Sequence, residues 1–470
     1  MSYSHGITTV GQMSTSTTLP ANGPASIADA LSLYRRLAPL EFFDRVRSQN
    51  NIRENNRVYS TPVVIWLMIT QRWQGNGSLE RAVLEVLRGW PSSFWPQPCQ
   101  RLQNRSHHSA ALSSHTGAYN QARQGLSVTI VEACCDRIFE QLTGSVPGAL
   151  APWDKRAFFL DGTTVRRPHS KELLKLYPPT ANQHGESHWP VLRMLVAHDL
   201  QTGLAMRPEW GALNGDQAVG EQELLERAID RLPQGSILVG DANFGVFSVA
   251  YAADHRQQAV LLRLTAVRAK HLAGRSIEDG MDLPITWKPS PVERRKHSPL
   301  PPDAAVSGRL IVRQVQPRNG AVPFLLAVFT TLPGKAEPIV ACYGQRWNIE
   351  TDLRHLKCTL QLDQLRCSTP DMVAKEIELA MAAYNLVRAV ICLAAQETGA
   401  APRDYGFTRA QNAILTFAPL IAAARTEQEA QMHFARMMFC VRQARRPRRK
   451  RPSYLRQVWP RGDRFPNRKG

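Results

Sequence analysis

The chain has 470 residues, 43% of them hydrophobic and 21% charged, with 58 Lys and Arg against 39 Asp and Glu, a formal net charge of +19 and a pI near 10.0. That length exceeds what one hydrophobic core usually supports, so two or three units are expected, and the basic balance favours a polyanionic partner. The eight cysteines include no CxxC pair and several have apolar neighbours, which argues against a disulfide scaffold or zinc site and suits reduced core thiols in a cytosolic protein.

In chain order, residues 1–26, opening "MSYSHGITTVGQMSTSTTLP", lack the charged start and apolar centre of a secretory signal and read as a disordered N-terminus. Residues 27–150 read as a helical DNA-binding domain: "SIADALSLYRRL", "TPVVIWLMITQRW", "SLERAVLEVLRGW" and "LSVTIVEACCDRIFEQL" place apolar residues three and four apart, with Ser78 and Thr61 where N-caps belong. A small basic helical unit is either a DNA-reading module or a purely structural bundle. Residues 151–258 change pattern. "RAFFLDGTTV", "VLRMLVAHDL" and "LAMRPEWGAL" read as strands, "EQELLERAIDRL" as an amphipathic helix burying Leu224, Leu225, Ala228, Ile229 and Leu232, and "SILVGDANFG" as a further strand. The expectation is a mixed α/β sheet flanked by helices. His184 and His188 in "NQHGESHW" have metal-pair spacing but no third ligand nearby, so a structural role is expected.

Residues 259–331 read as a β insertion with strands "AVLLRLT", "LPITWKP", "SGRLIVRQV" and "PFLLAVFTTL" and no helix of useful length. Its loops carry Arg268, Lys270, Arg275, Lys288, Arg294, Arg295 and Lys296. Its aromatic residues Trp287, Phe324 and Phe329 either fill the insertion's own core or offer a stacking surface to a base. Residues 332–400 return to helix, beginning with "YGQRWNIETDLRHLK". On one continuous helix, with Tyr343 at zero, Arg346, Glu350 and Lys357 fall near about −60°, −20° and −40°, and Arg354 near about +20°. Ile349, Leu353, Leu356 and Leu360 form a separate apolar stripe. One carboxylate flanked by cations and a phenol suits a phosphodiester backbone; a solvated face with ordinary charge pairs is the alternative. Arg354 either adds a phosphate contact or pairs with Asp352 or Glu350. The next run, "IELAMAAYNLVRAVICLAA", is interrupted by Asn385 and Arg388 and reads as a buried helix, not a membrane span. Residues 401–441 hold C-terminal helices, including a short one near 420–440, and residues 442–470 are a basic disordered tail with ten Arg and two Lys against Asp463.

Three acids stand out. Asp161 and Asp241 each end a buried apolar run, where an aspartate is unfavourable unless paired or bound to a cation, although "DG" and "DANFG" also start turns. Glu350 is the acid centred on the cationic stripe. Carboxylates from separate elements can hold two Mg²⁺ ions for in-line phosphoryl displacement, and hard oxygen ligands select Mg²⁺ or Mn²⁺ over zinc.

The spacing Tyr343, Arg346, Glu350, Lys357 resembles the signature of bacterial insertion-sequence DDE transposases of the cut-and-paste type, and "LDGTTV" and "GDANFG" resemble that family's two aspartate motifs in the right order. "GNGSLERAVLEVL" and "SSHTGAYNQARQGL" are similar to its N-terminal region, so the resemblance runs from about residue 40 to 400. It implies a ribonuclease-H-like fold interrupted by a β insertion, with Asp161, Asp241 and Glu350 binding two Mg²⁺ ions, replaceable by Mn²⁺. It also implies that Tyr343, Arg346 and Lys357 contact double-stranded DNA at the transposon end; in relatives that open a DNA hairpin an aromatic residue of the insertion stacks on a flipped base, for which Trp287, Phe324 and Phe329 are the candidates. The expected activity is cleavage at insertion-sequence ends and joining of 3′ hydroxyls to target DNA by a homodimer or larger complex, cytoplasmic and nucleoid-associated. A catalytically silent DNA-binding descendant and a metal-dependent nuclease without strand transfer are the alternatives.

Overall fold

The computed structural model describes residues 30–54, 57–87, 113–182, 185–186, 188–296, 300–316 and 322–446. The expected disordered N-terminus, His184, Cys99 and the tail beyond residue 446 lie outside the described residues.

Six helices open the described chain: α1 (Ala30–Leu37), α2 (Leu40–Gln49), α3 (Thr61–Trp73), α4 (Leu79–Leu87), α5 (Gly117–Gly125) and α6 (Val128–Ser145). The Ser78 hydroxyl caps α4 by accepting from Arg81 N at 3.1 Å, as its position predicts. The cap position of α3 is instead Ser60, with Thr61 its first residue and Pro62 in its first turn.

The main sheet comprises, in chain order, β1 (Lys155–Arg166), β2 (Val191–Asp199), β3 (Glu209–Ala212), β4 (Ile237–Gly240), β5 (Ala259–Arg263), β6 (Asp282–Trp287), β7 (Val306–Val315) and β8 (Phe324–Thr330), with a two-residue strand, Ala149–Leu150, paired to β1. Their spatial order is β3-β2-β1-β4-β5-β8-β7-β6. β3, β2 and β1 pair antiparallel, β1, β4 and β5 pair parallel, and β8, β7 and β6 continue antiparallel. The parallel steps require crossovers: α8 (Glu221–Ala228) between β3 and β4, and α9 (Phe247–Asp254) between β4 and β5. Leu224, Leu225, Ala228, Ile229 and Leu232 are all buried, as their spacing predicts. This mixed sheet flanked by helices is consistent with a ribonuclease-H-like core.

Two corrections concern the region read as a β insertion. Its first strand, "AVLLRLT", is β5, hydrogen-bonded parallel to β4, so it belongs to the central sheet. The segment also contains helices: α10 (Ala266–Ala273) and α11 (Pro291–Lys296), following α7 (Lys171–Leu176) in chain order. In α10 Ala269 is the one buried residue and Val267 is exposed, so the helix lacks the apolar stripe that marks amphipathic helices. It is delimited locally instead: the Thr265 hydroxyl accepts from Arg268 N, and Gly274 ends it at φ +66°.

The remaining helices are α12 (Ala336–Gly344), α13 (Trp347–Arg354), α14 (Pro370–Thr398), α15 (Phe407–Ala423) and α16 (Glu427–Gln443). α14 is long and apolar enough to cross a membrane, yet almost all of it is buried inside the protein. Thr369 caps it, Pro370 occupies its first position, and Gly399 at φ +64° ends it. Trp73 Nε1 donates to Ala383 O at 2.9 Å, and Arg72 pairs with Glu376 at 3.0 Å, so the N-terminal helices pack directly on α14. One contiguous apolar cluster runs from Ala30 to Val441.

Candidate active site

β1 and β4 run parallel with Ala157 opposite Ile237, Phe158 opposite Leu238 and Phe159 opposite Val239. Two residues beyond the last of these pairs stand Asp161 and Asp241, close enough for their charges to interact. Asp161 lies inside β1, which continues to Arg166, so the apolar run stops at the aspartate but the strand does not. Asp241 follows the last residue of β4. Its carboxylate accepts from Asn243 N at 2.9 Å, and its carbonyl accepts from Phe244 N and Gly245 N. The turn role is therefore real, and it coexists with a carboxylate beside Asp161. Gly245 is required here because any Cβ would collide with Arg263 O at the end of β5.

Burial pushes the Asp161 carboxyl up to about 7, reinforced by Asp241 and Glu221 and opposed by Arg346 and the Gly162 backbone N–H. Glu221 was not singled out by the sequence, where it reads as an ordinary acid in the first turn of a helix. Its carboxylate occupies the space where a Cβ on Gly162 would stand, and it accepts from the Asn243 side chain.

The expected single helix 343–357 is three segments. α12 ends at Gly344, residues 345–346 form a turn, α13 spans Trp347–Arg354, and His355–Thr359 form a π turn. The ideal projection therefore does not describe the real surface. Tyr343 does not share an exposed polar face: it is 4% exposed, its ring contributing to the core and its hydroxyl lying near Arg346, Arg263 and Asp241. Burial pushes that hydroxyl up to about 12. Arg346 stands 3.8 Å from Glu350, and its guanidinium lies 5.0 Å from the centroid of Trp347. Glu350, in the first turn of α13, has a side chain 51% exposed. Lys357 is tied to β1: its Nζ donates to Thr164 O at 2.9 Å and Thr163 Oγ1 at 3.3 Å, and lies 3.4 Å from Asp363. Arg354 is exposed and pairs with neither Asp352 nor Glu350.

The aromatic candidates divide. Trp287 and Phe329 are buried, their rings 4.9 Å apart and packed edge to face, so both fill the core of the sheet's far end and neither is free to stack on a base. Phe324 is 41% exposed, under Arg263. The large exposed ring beside the acids is Trp347, 65% exposed. On the helical projection it falls near +40°, next to the cationic stripe, so its position was legible although its exposure was not. His188 stacks on His169 at 4.4 Å, and the described cysteines are all free. Among the described residues no three His, Cys, Asp or Glu side chains are gathered closely enough to hold a metal ion. Asp161 and Asp241 are brought together, with Arg346 and Tyr343 near them. Glu350 is joined to them through Arg346, 3.8 Å from its carboxylate on α13.

A family model described as a transposase DDE domain matches residues 152–386. The chain is also 27% identical over 238 residues to the transposase InsG of insertion sequence element IS4 from Escherichia coli (strain K12). That match covers 49% of this chain and spans about half the length of the relative.

Proposed function

Because the chain belongs to the transposase DDE domain family, we propose that it cleaves the ends of an insertion sequence and joins the released 3′ hydroxyls to target DNA, with Asp161, Asp241 and Glu350 as its metal-binding acids. The observation that carries this reading is the proximity of Asp161, in β1, to Asp241, just after the neighbouring parallel strand β4, with Arg346 close to Asp161 and to Tyr343, itself a neighbour of Asp241. A carboxyl raised to about 7 by burial, and further by its acidic neighbours, is one that a divalent cation would relieve, and the all-oxygen donor set suits Mg²⁺ or Mn²⁺. When bound, the ions supply activation of the attacking oxygen and stabilisation of the leaving oxygen.

The chain's own residues do the rest. Arg346 sits between Glu350 and Asp161, where it meets the charge of a phosphate. Lys357 pins the segment after α13 to β1 through its ammonium. Trp347 offers a flat apolar surface on the exposed side of Arg346, able to stack on a base. The DNA-reading role of the helical unit before residue 150, and a dimer or larger complex, are part of the same proposal.

The test is incubation with labelled duplex carrying the element's own ends, Mg²⁺ and a supercoiled target. Joined products support the proposal; cuts without joining would reduce it to a nuclease, and binding alone to a silent DNA-binding protein. Asp161→Ala, Asp241→Ala and Glu350→Ala should each abolish cleavage and leave end binding near wild type, because the ions act on the transition state more than on ground-state affinity. Substantial cleavage in any one removes that residue from the set.

A further inference from the structure

The α-helical segment that carries Glu350 is only eight residues long, set off from α12 by the 345–346 turn and continued by the π turn His355–Thr359. So short a segment has little axis of its own to hold its rotation, and side-chain anchors help to set it. Ile349, Asp352 and Leu353 are the residues α13 buries. Two are apolar and their contacts are non-directional. Asp352 is different: fully buried, it accepts from Tyr384 Oη at 2.9 Å and from the guanidinium groups of Arg388 and Arg403.

Those partners are themselves fixed. Arg388 Nε donates to Tyr384 Oη at 2.8 Å on α14. Arg403 donates to Leu200 O at 2.9 Å and Asp199 O at 2.7 Å, at the end of β2, the strand paired with β1. Both guanidinium groups crowd Gly203, where a Cβ would come within 2.8 Å of Arg388 Nε and 3.0 Å of Arg403 Nη1. Asp352 thus links the catalytic helix to the sheet and to α14 through directional bonds.

At 100° per residue Glu350 and Asp352 stand about 200° apart, so the anchored face and the face that carries Glu350 beside Arg346 are opposite sides of one short cylinder. We propose that Asp352 is the positioning residue of Glu350: held between Arg388, Arg403 and Tyr384, it fixes the rotation of α13 and with it the place of the third acidic group. The inference rests on the transposase reading above. A side-chain tip stands roughly 5 to 6 Å from a helix axis, so a 20° rotation would move the Glu350 carboxylate by about 2 Å. Misplacement of about 1 Å can lower a rate roughly 100-fold.

The test uses the full-length protein, free Mn²⁺ followed by its electron paramagnetic resonance signal, and the labelled end duplex. Asp352→Asn keeps the shape, removes the charge and replaces one accepting oxygen by an amide donor that cannot accept from a guanidinium. We expect duplex binding near wild type, Mn²⁺ affinity about 10- to 100-fold weaker, as for other partners that orient a metal ligand, and cleavage that recovers as Mn²⁺ is raised. A purely structural role would shift melting without moving the Mn²⁺ dependence. Wild-type Mn²⁺ affinity with a wild-type Mn²⁺ dependence of cleavage overturns the proposal. If Asp352→Asn does not fold, Arg403→Met and Arg403→Lys take its place: weakened Mn²⁺ binding in the first, partly restored in the second, supports the proposal, and wild-type binding in Arg403→Met overturns it. Glu350→Ala is measured alongside. If it too binds Mn²⁺ and cleaves like wild type, the role assigned to Glu350 fails, a result distinguishable from wild-type behaviour in Asp352→Asn alone.

Discussion

At the scale of single residues the decisive feature is a carboxylate in the wrong solvent. Asp161 is held up to about 7 by burial and by its neighbours Asp241 and Glu221, against an ordinary value near 3.8. The sign of the consequence follows from proton linkage. Below the unfolded value both states hold the proton; between the two values the folded chain holds a proton that the unfolded chain has lost. The stabilisation from protonated Asp161 is therefore complete at low pH and disappears as pH rises through about 7. Asp161→Asn should flatten this dependence, so its melting temperature should fall less than that of wild type between about pH 5 and pH 8. Mg²⁺ should raise the wild-type melting temperature more at the upper end of that range than at the lower. Identical pH profiles for the two proteins would show that the carboxyl titrates normally.

Among the structural elements, the broken helix 336–359 departs furthest from its sequence. A periodic pattern projects every residue onto one cylinder, but the turn at 345–346 and the π turn at 355–359 divide that cylinder, so Tyr343 turns into the core and Lys357 onto β1. Arg346 and Lys357 consequently have different roles, and their variants should differ. Arg346→Ala should lower end-complex formation and cleavage with little effect on melting, and Arg346→Lys should recover only part of the loss, because lysine cannot make a bidentate phosphate contact. Lys357→Ala should also reduce assembly and, in addition, destabilise the fold by about 1 kcal/mol through the lost bond to Thr164 O. Gel-shift, cleavage and melting measurements on the three variants separate these outcomes. Wild-type assembly in both alanine variants would remove the DNA-tracking role from this segment.

For the whole molecule, the N-terminal helices and the central sheet share one apolar cluster organised on α14. Such a body should unfold cooperatively, so a melt followed by the fluorescence of the buried Trp66 and Trp73 should coincide with one followed by far-ultraviolet circular dichroism. Separate transitions would mean that the N-terminal unit is independent. Removal of residues 447–470, which carry much of the excess positive charge, should weaken binding to any DNA sequence and flatten its salt dependence, each lost phosphate contact lowering the slope by roughly 0.9. Discrimination between the element's ends and other DNA should survive, and its loss would make the tail a specificity device.

Local chemistry makes much of this protein legible in its amino-acid order. Apolar composition locates α3 and α14, which are buried nearly all round, three- and four-residue spacing locates α6 and α8, and apolar runs locate the strands because both faces of the central sheet are covered. The acids are legible for the same reason: an aspartate ending such a run breaks a pattern that burial otherwise enforces. α10 escapes because a short capped helix with a single buried residue leaves no periodic trace. β5 reads as part of the insertion because strand propensity does not reveal pairing partners; only the sheet register joins it to β4. Glu221, the exposure of Trp347 and the anchoring of Asp352 by Arg388 and Arg403 likewise depend on residues tens of positions apart or more, and no local pattern carries that information. Side-chain type and spacing determined which elements form and which acids are out of place; tertiary packing decided which of them meet, because long-range contact is set by how the layers close on one another.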